Sequence, residues 1–523
     1  MRIKHNHISR HLANVVPKLF FPRSQIASVD ATVIQRSTIT RNLTLLLVVL
    51  FSIVTIRDGH YWGDDFAQYL QHAHNIIQLK SYSESGYIYN PLNPTVGPRA
   101  YPPGYPYILA PLVGLYGLNL AVCKMVNVLL WTLSLLIILR LISRDLSEKN
   151  VWAWLVIVGF CPVYWVFRDR LESEHLFIPL WYATLLVTDD WYRFQRVYGS
   201  QFLHGVILGS LIFMACSTRT VGLVLLPTIV LCEIIVAQRM TRVGVVASLT
   251  AILLLVLERL ILPASGSGYI EHFRNFSLGR LASNAYCYTT AFSVIWENLH
   301  WDNARKIAGI TFAIIASIGF LKANYPRGTP LGIAHVVYFV VIIVWPSVDG
   351  VRLILPLLPG FVFYLLIGCA SFKVSPYAAN AACMGLLLFT LLSYATYYSS
   401  ADFRRISEGV ETPPAQELFE FVRYHADPDE VCLFFKPRAL ALYTGHRSSA
   451  YPLGVDVNQF LNYATTVGAK MMIARLSTDD IGHHSSEKML RQLAISNLDK
   501  VFVNSEFIVY RWGSVNRRPV FHE

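Results

Sequence analysis

His60-Tyr61-Trp62-Gly63-Asp64-Asp65-Phe66-Ala67-Gln68-Tyr69-Leu70, followed by Arg99-Ala100-Tyr101-Pro102-Pro103-Gly104-Tyr105-Pro106, is the stretch on which this chain turns. It begins just past the apolar run 42–57. Two adjacent carboxylates therefore stand at the edge of a membrane helix, among aromatics. Carboxylates there are costly unless they are solvated, paired or on a metal. The Pro-Pro-Gly turn then returns the chain toward the bilayer.

The composition agrees with a membrane setting. The chain has 523 residues, 54% hydrophobic and 15% charged, with a mean hydropathy of +0.43. A soluble domain carries about 25% charged residues. The net charge of +11 does not indicate nucleic acid, because the cations fall in short clusters between apolar runs, the pattern of cytoplasmic loops. Segment 1–41 is polar and basic (Arg2, Lys4, Arg10, Lys18, Arg23, Arg36, Arg41). It has no early apolar core, so no cleavable signal is expected and it is read as cytoplasmic. Cys123, Cys161, Cys216, Cys232, Cys369 and Cys383 lie in or beside apolar runs and are expected to pack as small hydrophobes. Cys287 and Cys432 fall in regions read as outer, and spacing alone leaves a disulfide between them open.

A spanning helix needs about 20 largely apolar residues. The candidates are 42–57, 119–141, 151–167, 175–191, 203–217, 220–237, 243–262, 306–322, 331–346, 352–370 and 378–398, about 11 transmembrane helices in all. The short basic connections Arg140-to-Lys149, Arg193-to-Arg196, Arg239-to-Arg242, Lys322-to-Arg327 and Lys373 belong inside. The loop 58–118 and everything after 399 then lie outside. Residues 105–117, apolar but short, are read as interfacial or re-entrant, with a short true span as the rival. The loop 263–305, with Tyr269, His272, Phe273, Trp296 and Trp301, suggests amphipathic helices on the membrane surface. Residues 401–523 are polar and alternate helix-like and strand-like runs. This predicts an extracytoplasmic α/β domain after a transmembrane domain, 42–400.

Polar groups gather on the outer side: Asp64 and Asp65; Asp169, Arg170, Glu172, Glu174 and His175; Arg219; Asp349 and Arg352. Arginine holds phosphate bidentately, and a carboxylate can deprotonate a hydroxyl or hold a divalent ion. Each piece also has a plain reading. The aspartates suit a solvated loop, Glu172 and Glu174 a helix N-terminus, and Arg219 and Arg352 snorkelling at the interface. Tyr61, Trp62, Tyr101 and Tyr105 suit an aromatic belt, and His72 and His74 a helix surface. Their joint occurrence on one side favours a site. A transporter or flippase of lipid-linked sugars would place its charges nearer the midplane. A non-catalytic assembly subunit would have no use for the acid pair.

Trp62-Gly63-Asp64-Asp65-Phe66-Ala67-Gln68-Tyr69 with Tyr101-Pro102-Pro103-Gly104-Tyr105-Pro106 resembles the GT-C glycosyltransferases, among them the protein O-mannosyltransferases and the lipid A aminoarabinose transferases. Ser173-Glu174-His175-Leu176-Phe177, Thr218-Arg219-Thr220-Val221-Gly222-Leu223 and Arg352-Leu353-Ile354-Leu355-Pro356-Leu357-Leu358-Pro359 resemble further signatures of that family, in the same order. The resemblance implies transfer of a sugar from a polyprenyl-phosphate donor to a hydroxyl of a lipid, glycan or protein outside the cytoplasm, at the plasma membrane. It implies Asp64 as base with Asp65 beside it, and Glu174 as the second acid. Asp65 and Glu174 are the candidate ligands of a divalent metal ion (Mg or Mn). Arg219 and Arg352 are the implied donor-phosphate residues. The aminoarabinose transferases carry a lysine before Pro-Pro where this chain has Tyr101, so either Arg99 takes over the phosphate or the donor sits differently. Arg438, in Lys436-Pro437-Arg438-Ala439-Leu440-Ala441-Leu442-Tyr443, is the candidate acceptor contact, with a structural basic helix start as its alternative.

Overall fold

A computed structural model describes residues 31–262, 277–297, 302–345, 350–371, 376–476 and 498–512. Most of the basic N-terminal segment, together with Tyr269, His272, Phe273, Trp301 and Asp349, lies outside the described residues.

The chain opens with helix α1 (Ala31–Val54). The first loop then holds the amphipathic helix α2 (Asp65–Ile77), the two-residue strand β1 (Tyr87–Ile88) and α3 (Gly104–Tyr116). The helical body continues with α4 (Leu120–Ile142), α5 (Glu148–Gly159), α6 (Pro162–Arg168), α7 (Glu174–Tyr192), α8 (Gln201–Thr218), α9 (Leu225–Cys232) and α10 (Arg242–Ile261). It closes with α11 (Leu278–Ala291), α12 (Asp302–Asn324), α13 (Pro330–Val344), α14 (Leu358–Cys369) and α15 (Pro376–Ser400). Short polar residues set several starts: the side chains of Asn119, Ser200 and Thr241 accept hydrogen bonds from Val122 N, Leu203 N and Gly244 N, satisfying donors that a helix N-terminus leaves free.

The eleven apolar runs overlap helices, but not all of these helices are spans. Among the described residues six helices are long and apolar enough to cross a membrane. α5 and α6, bent by 48° at their junction, make a seventh if they form one span. Thr38–Val54, Pro330–Val344 and Leu358–Cys369 are shorter apolar helices. The segment read as interfacial is α3, 13 residues long with Pro111 inside it, about 20 Å at 1.5 Å per residue. At the end of the body away from the first loop, Arg144 pairs with Asp189 and Asp190 at 2.6 Å each and Arg193 lies 3.4 Å from Asp189, so two guanidiniums offset two buried acids there. Trp296 is not a surface aromatic as expected. It is buried against Phe312 and donates to Thr390 Oγ1 at 2.9 Å.

After residue 400 come α16 (Pro413–His425), β2 (Val431–Leu433), α17 (Pro437–Thr444), β3 (Arg447–Ser449), α18 (Val457–Val467), β4 (Ala469–Arg475), β5 (Leu498–Val503) and β6 (Phe507–Trp512). The strand-like runs expected here are strands, and β5 and β6 pair antiparallel around Asn504-Ser505-Glu506. The sheet order is β1-β3-β2-β4-β6-β5, parallel from β1 to β4 and antiparallel beyond. Its edge strand β1 comes from the first loop. The loop's start is tied in as well: Asp58 N donates to Arg404 O, Ile406 N to Asp58 O and Val410 N to His60 O. Trp62 sits among Phe419, Phe434, Phe435 and Phe507, ring centroids 5.4–6.0 Å away. One hydrophobic core therefore runs from the helices into the sheet. Cys287 and Cys432 are both free thiols, so no disulfide joins them.

Candidate active site

The two aspartates occupy the start of α2. Consecutive helical residues project about 100° apart, so they face different surroundings. Asp65 lines a cavity of 550 Å³ between the first loop and the ends of α7, α8 and α13, with Tyr69, Tyr101, Ser173, Arg219 and Arg352. Asp64 turns toward α17: its Oδ1 accepts from Ala439 N at 3.4 Å, and its Oδ2 is sealed with no hydrogen-bond partner.

Asp65 is held on every side. Its Oδ1 accepts from Tyr101 Oη at 2.7 Å and from Arg438 Nη1 at 3.3 Å; its Oδ2 accepts from Arg352 Nη1. Burial would raise its pKa, but Arg352, Arg438 and the Tyr101 hydroxyl outweigh burial and hold it well below the usual carboxylate range. For Asp64 burial prevails over the pull of Arg438 and Lys436 and pushes the carboxyl up to about 6. Environment thus separates two neighbouring carboxylates.

Arg352 bridges the site. It donates to Asp65 Oδ2 through Nη1 and to Glu174 Oε1 through Nε. Arg219 Nη1 also donates to Glu174 Oε1 and reaches Ser173 Oγ at 3.4 Å. Tyr69 Oη donates to that hydroxyl at 3.0 Å. Glu172 lies 3.6 Å from Arg352 Nε; burial first, then Glu174 and Asp65, push its pKa up. It makes no side-chain cap on α7.

Local sequence explains these positions. α8 ends at Thr218, Arg219 is extended (φ −146, ψ 134), and a 3-10 turn over Thr220–Val224 follows, which projects the guanidinium sideways from the helix end. At Gly222 a Cβ would lie 2.7 Å from the backbone of Ala215 and Cys216. At Gly104 it would lie 2.9 Å from Ser217 O. Only glycine lets the Pro-Pro-Gly turn seat against α8 beside Arg219. Behind the cavity Asp169 pairs with Arg57 at 2.7 Å and Lys124 at 3.2 Å, and Lys124 Nζ also donates to Arg57 O and Gly59 O. His60 Nε2 accepts from Leu171 N at 3.0 Å, so Nδ1 carries the proton toward Tyr61 O. Burial lowers its pKa to about 3, and the ring stays neutral. These bonds tie the first loop to the segment before α7.

No protein-family model and no curated protein matches the chain. Solved structures do. ArnT from Cupriavidus metallidurans bound to undecaprenyl phosphate superposes with a TM-score of 0.55 at 11% identity, covering 90% of this chain and 98% of that one. The Archaeoglobus fulgidus oligosaccharyltransferase tethered to an acceptor peptide gives 0.56 at 11% identity, over 91% and 74%. The same organism's AglB with an inhibitory peptide and a dolichol-phosphate gives 0.55 at 10%, over 83% and 69%. The chain has the GT-C fold.

Within this GT-C frame the expected residues divide. Asp65, Arg219 and Arg352 line one cavity, and Glu174 is bonded to both arginines. Asp64, expected as the base, does not line that cavity, because its side chain follows the helix start toward α17. Arg99 does not join either. Its carbonyl accepts from Gln68 Nε2 at 2.5 Å, and its side chain lines a different cavity. Arg438, the candidate acceptor contact, is turned into the protein. It is 2% exposed, bonded to Tyr101 Oη at 2.8 Å and Pro98 O at 2.7 Å, and stacked on Tyr87 and Tyr101. Asp169 serves the scaffold. His72 is buried rather than on a helix surface, 2.9 Å from Gln68 Nε2. Tyr105 is buried and Trp62 is half-buried among the aromatics of the sheet side, so neither is a belt residue.

As a metal pair, Asp65 and Glu174 are joined by Arg352, which places a cation where a divalent ion would sit. Among the described residues no three His, Cys, Asp or Glu side chains converge on a metal position. The donor set fits an arginine bridge rather than an ion. Tyr101, expected in the aromatic belt, instead belongs to the site. Its signal in the sequence is its place before Pro102, which biases it to an extended backbone that delivers the phenol to Asp65.

Proposed function

We propose that the chain is a membrane glycosyltransferase that uses a polyprenyl-phosphate sugar and a hydroxyl acceptor, with the cavity and the sheet facing away from the cytoplasm at the plasma membrane. The observation that carries this reading is the chemistry of the cavity wall. Its lining combines Arg219, Arg352 and Asp65 with the apolar side chains of Val221, Val341, Ile342, Trp345 and Leu353. Cations beside an apolar wall suit a phosphate carried on a hydrocarbon chain.

In this mechanism Arg352 and Arg219 hold the donor phosphate. To do so Arg352 gives up part of its hold on Asp65 and Glu174, and Asp65 becomes more basic as its nearest cation turns away. Asp65 then accepts the acceptor's proton while the oxygen attacks the anomeric carbon. The bond from that carbon to the phosphate oxygen breaks, and the lipid phosphate leaves against the two guanidiniums. Tyr101 and Arg438 keep the carboxylate aimed, which is positioning. A base must first reach the proton, and only then does its pKa matter; Asp65 reaches the cavity and Asp64 does not.

The test is sugar transfer from a synthetic polyprenyl-phosphate donor by purified protein. Asp65→Asn should lower turnover by roughly 10²–10⁴-fold, the contribution of a positioned base, with donor binding retained. Near-normal turnover by a folded Asp65→Asn protein would remove the assignment.

A further inference from the structure

A second cavity, of 730 Å³, lies on the other side of α2. Asp65 and Tyr69 face the first cavity, whereas Gln71, His74 and Asn75, roughly opposite at 100° per residue, line the second. Its charged lining is three cations and one acid. Lys80 and Arg99 come from the first loop, Arg447 from β3, and Glu84 is the acid. Among the described residues Lys80, Arg99 and Arg447 make no ion pair. In the same lining Ser85 is 8% exposed, and its hydroxyl has no hydrogen-bond partner.

The wall is built. Asn75, 1% exposed, donates from Nδ2 to Ser81 O at 3.1 Å, to Tyr82 O at 3.3 Å and to Glu84 O, which fixes the loop that carries Ser85. The end of α3 gives the lining an apolar part. Val113, Gly117 and Leu118 belong to it, and Leu115, Tyr116 and Leu79 stand exposed next to them. Exposed apolar side chains around a cationic pocket mark a membrane contact rather than a solvent face.

We propose that this cavity binds the phosphate of a lipid headgroup, separately from the donor cavity, with Arg99, Arg447 and Lys80 around the phosphate and the end of α3 against the hydrocarbon. The site does not depend on the transferase reading, because its occupant is defined by charge and the apolar end of α3.

The test is binding of dioctanoyl phosphatidate to the full chain in detergent, by titration calorimetry. Dioctanoylglycerol and inorganic phosphate are the comparison ligands. Arg99→Ala/Arg447→Ala should weaken phosphatidate roughly 100-fold, about tenfold for each charge-assisted hydrogen bond removed. Both side chains are exposed, so folding should survive; Lys80→Gln supplies a milder variant with a smaller loss in the same direction. Arg352→Ala should leave this binding in place while weakening polyprenyl phosphate, which separates failure of this site from failure of the donor site. Unchanged phosphatidate affinity in the double variant would overturn the proposal. So would dioctanoylglycerol binding as tightly as phosphatidate. Inorganic phosphate binding as tightly as phosphatidate would overturn the lipid source and leave a free-phosphate site.

Discussion

Asp64→Asn should stabilise the protein at neutral pH and leave sugar transfer largely in place. Asp64 Oδ2 is sealed without a partner, and burial lifts the carboxyl from 3.8 to about 6. That rise is worth about 3 kcal/mol, at about 1.4 kcal/mol for each tenfold change in proton affinity. The sign follows from linkage. The folded state holds this proton more tightly than the unfolded chain, so between the two pKa values it binds more protons and stability falls as pH rises. The loss is complete above about pH 6. Asparagine carries no charge to bury, so the variant escapes this decline. Thermal unfolding of detergent-solubilised protein, followed from about pH 4.5 to about pH 7.5, should show midpoints that diverge upward for the variant as pH rises. Parallel profiles, or a variant that is weaker at neutral pH, would refute the burial argument. Turnover within roughly tenfold of the parent would agree with Asp64 lying off the cavity; a fall as large as that expected of Asp65→Asn would return the base to Asp64.

Arg352→Ala should raise the apparent KM for the lipid donor, since a charge-assisted phosphate contact is worth roughly 1.5–3 kcal/mol, and lysine should rescue only in part for want of the fork; unchanged donor kinetics would leave Arg352 only the structural role of bridging Asp65 and Glu174. Asp169→Asn should cost roughly 3–5 kcal/mol, because it leaves Arg57 and Lys124 buried without their shared partner, and an unshifted unfolding midpoint would contradict that. For orientation, a cysteine at exposed Tyr424 should react with an impermeant reagent on intact cells while one at Arg196, near the Arg144–Asp190 end, should not; the reverse pattern would put the site in the cytosol.

The apolar runs, the acid pair, the Pro-Pro-Gly turn and the arginine signatures are local features, and they were legible because hydropathy and backbone preference act within a few residues. They are enough for a helical membrane body, an α/β segment after residue 400 and a carboxylate–arginine site at one rim. The sequence could not say which aspartate opens to the cavity, because that depends on how α2 is rotated against its neighbours. Nor could it show that β1 joins a sheet made from residues more than three hundred positions later, that Arg438 crosses to Asp65, or that Arg352 lies between Asp65 and Glu174. Those facts are distances between remote segments. Arg99 and Tyr101 stand two residues apart in sequence, yet they line different cavities, and only the packing of the first loop against α17 and α8 decides which one meets the carboxylate.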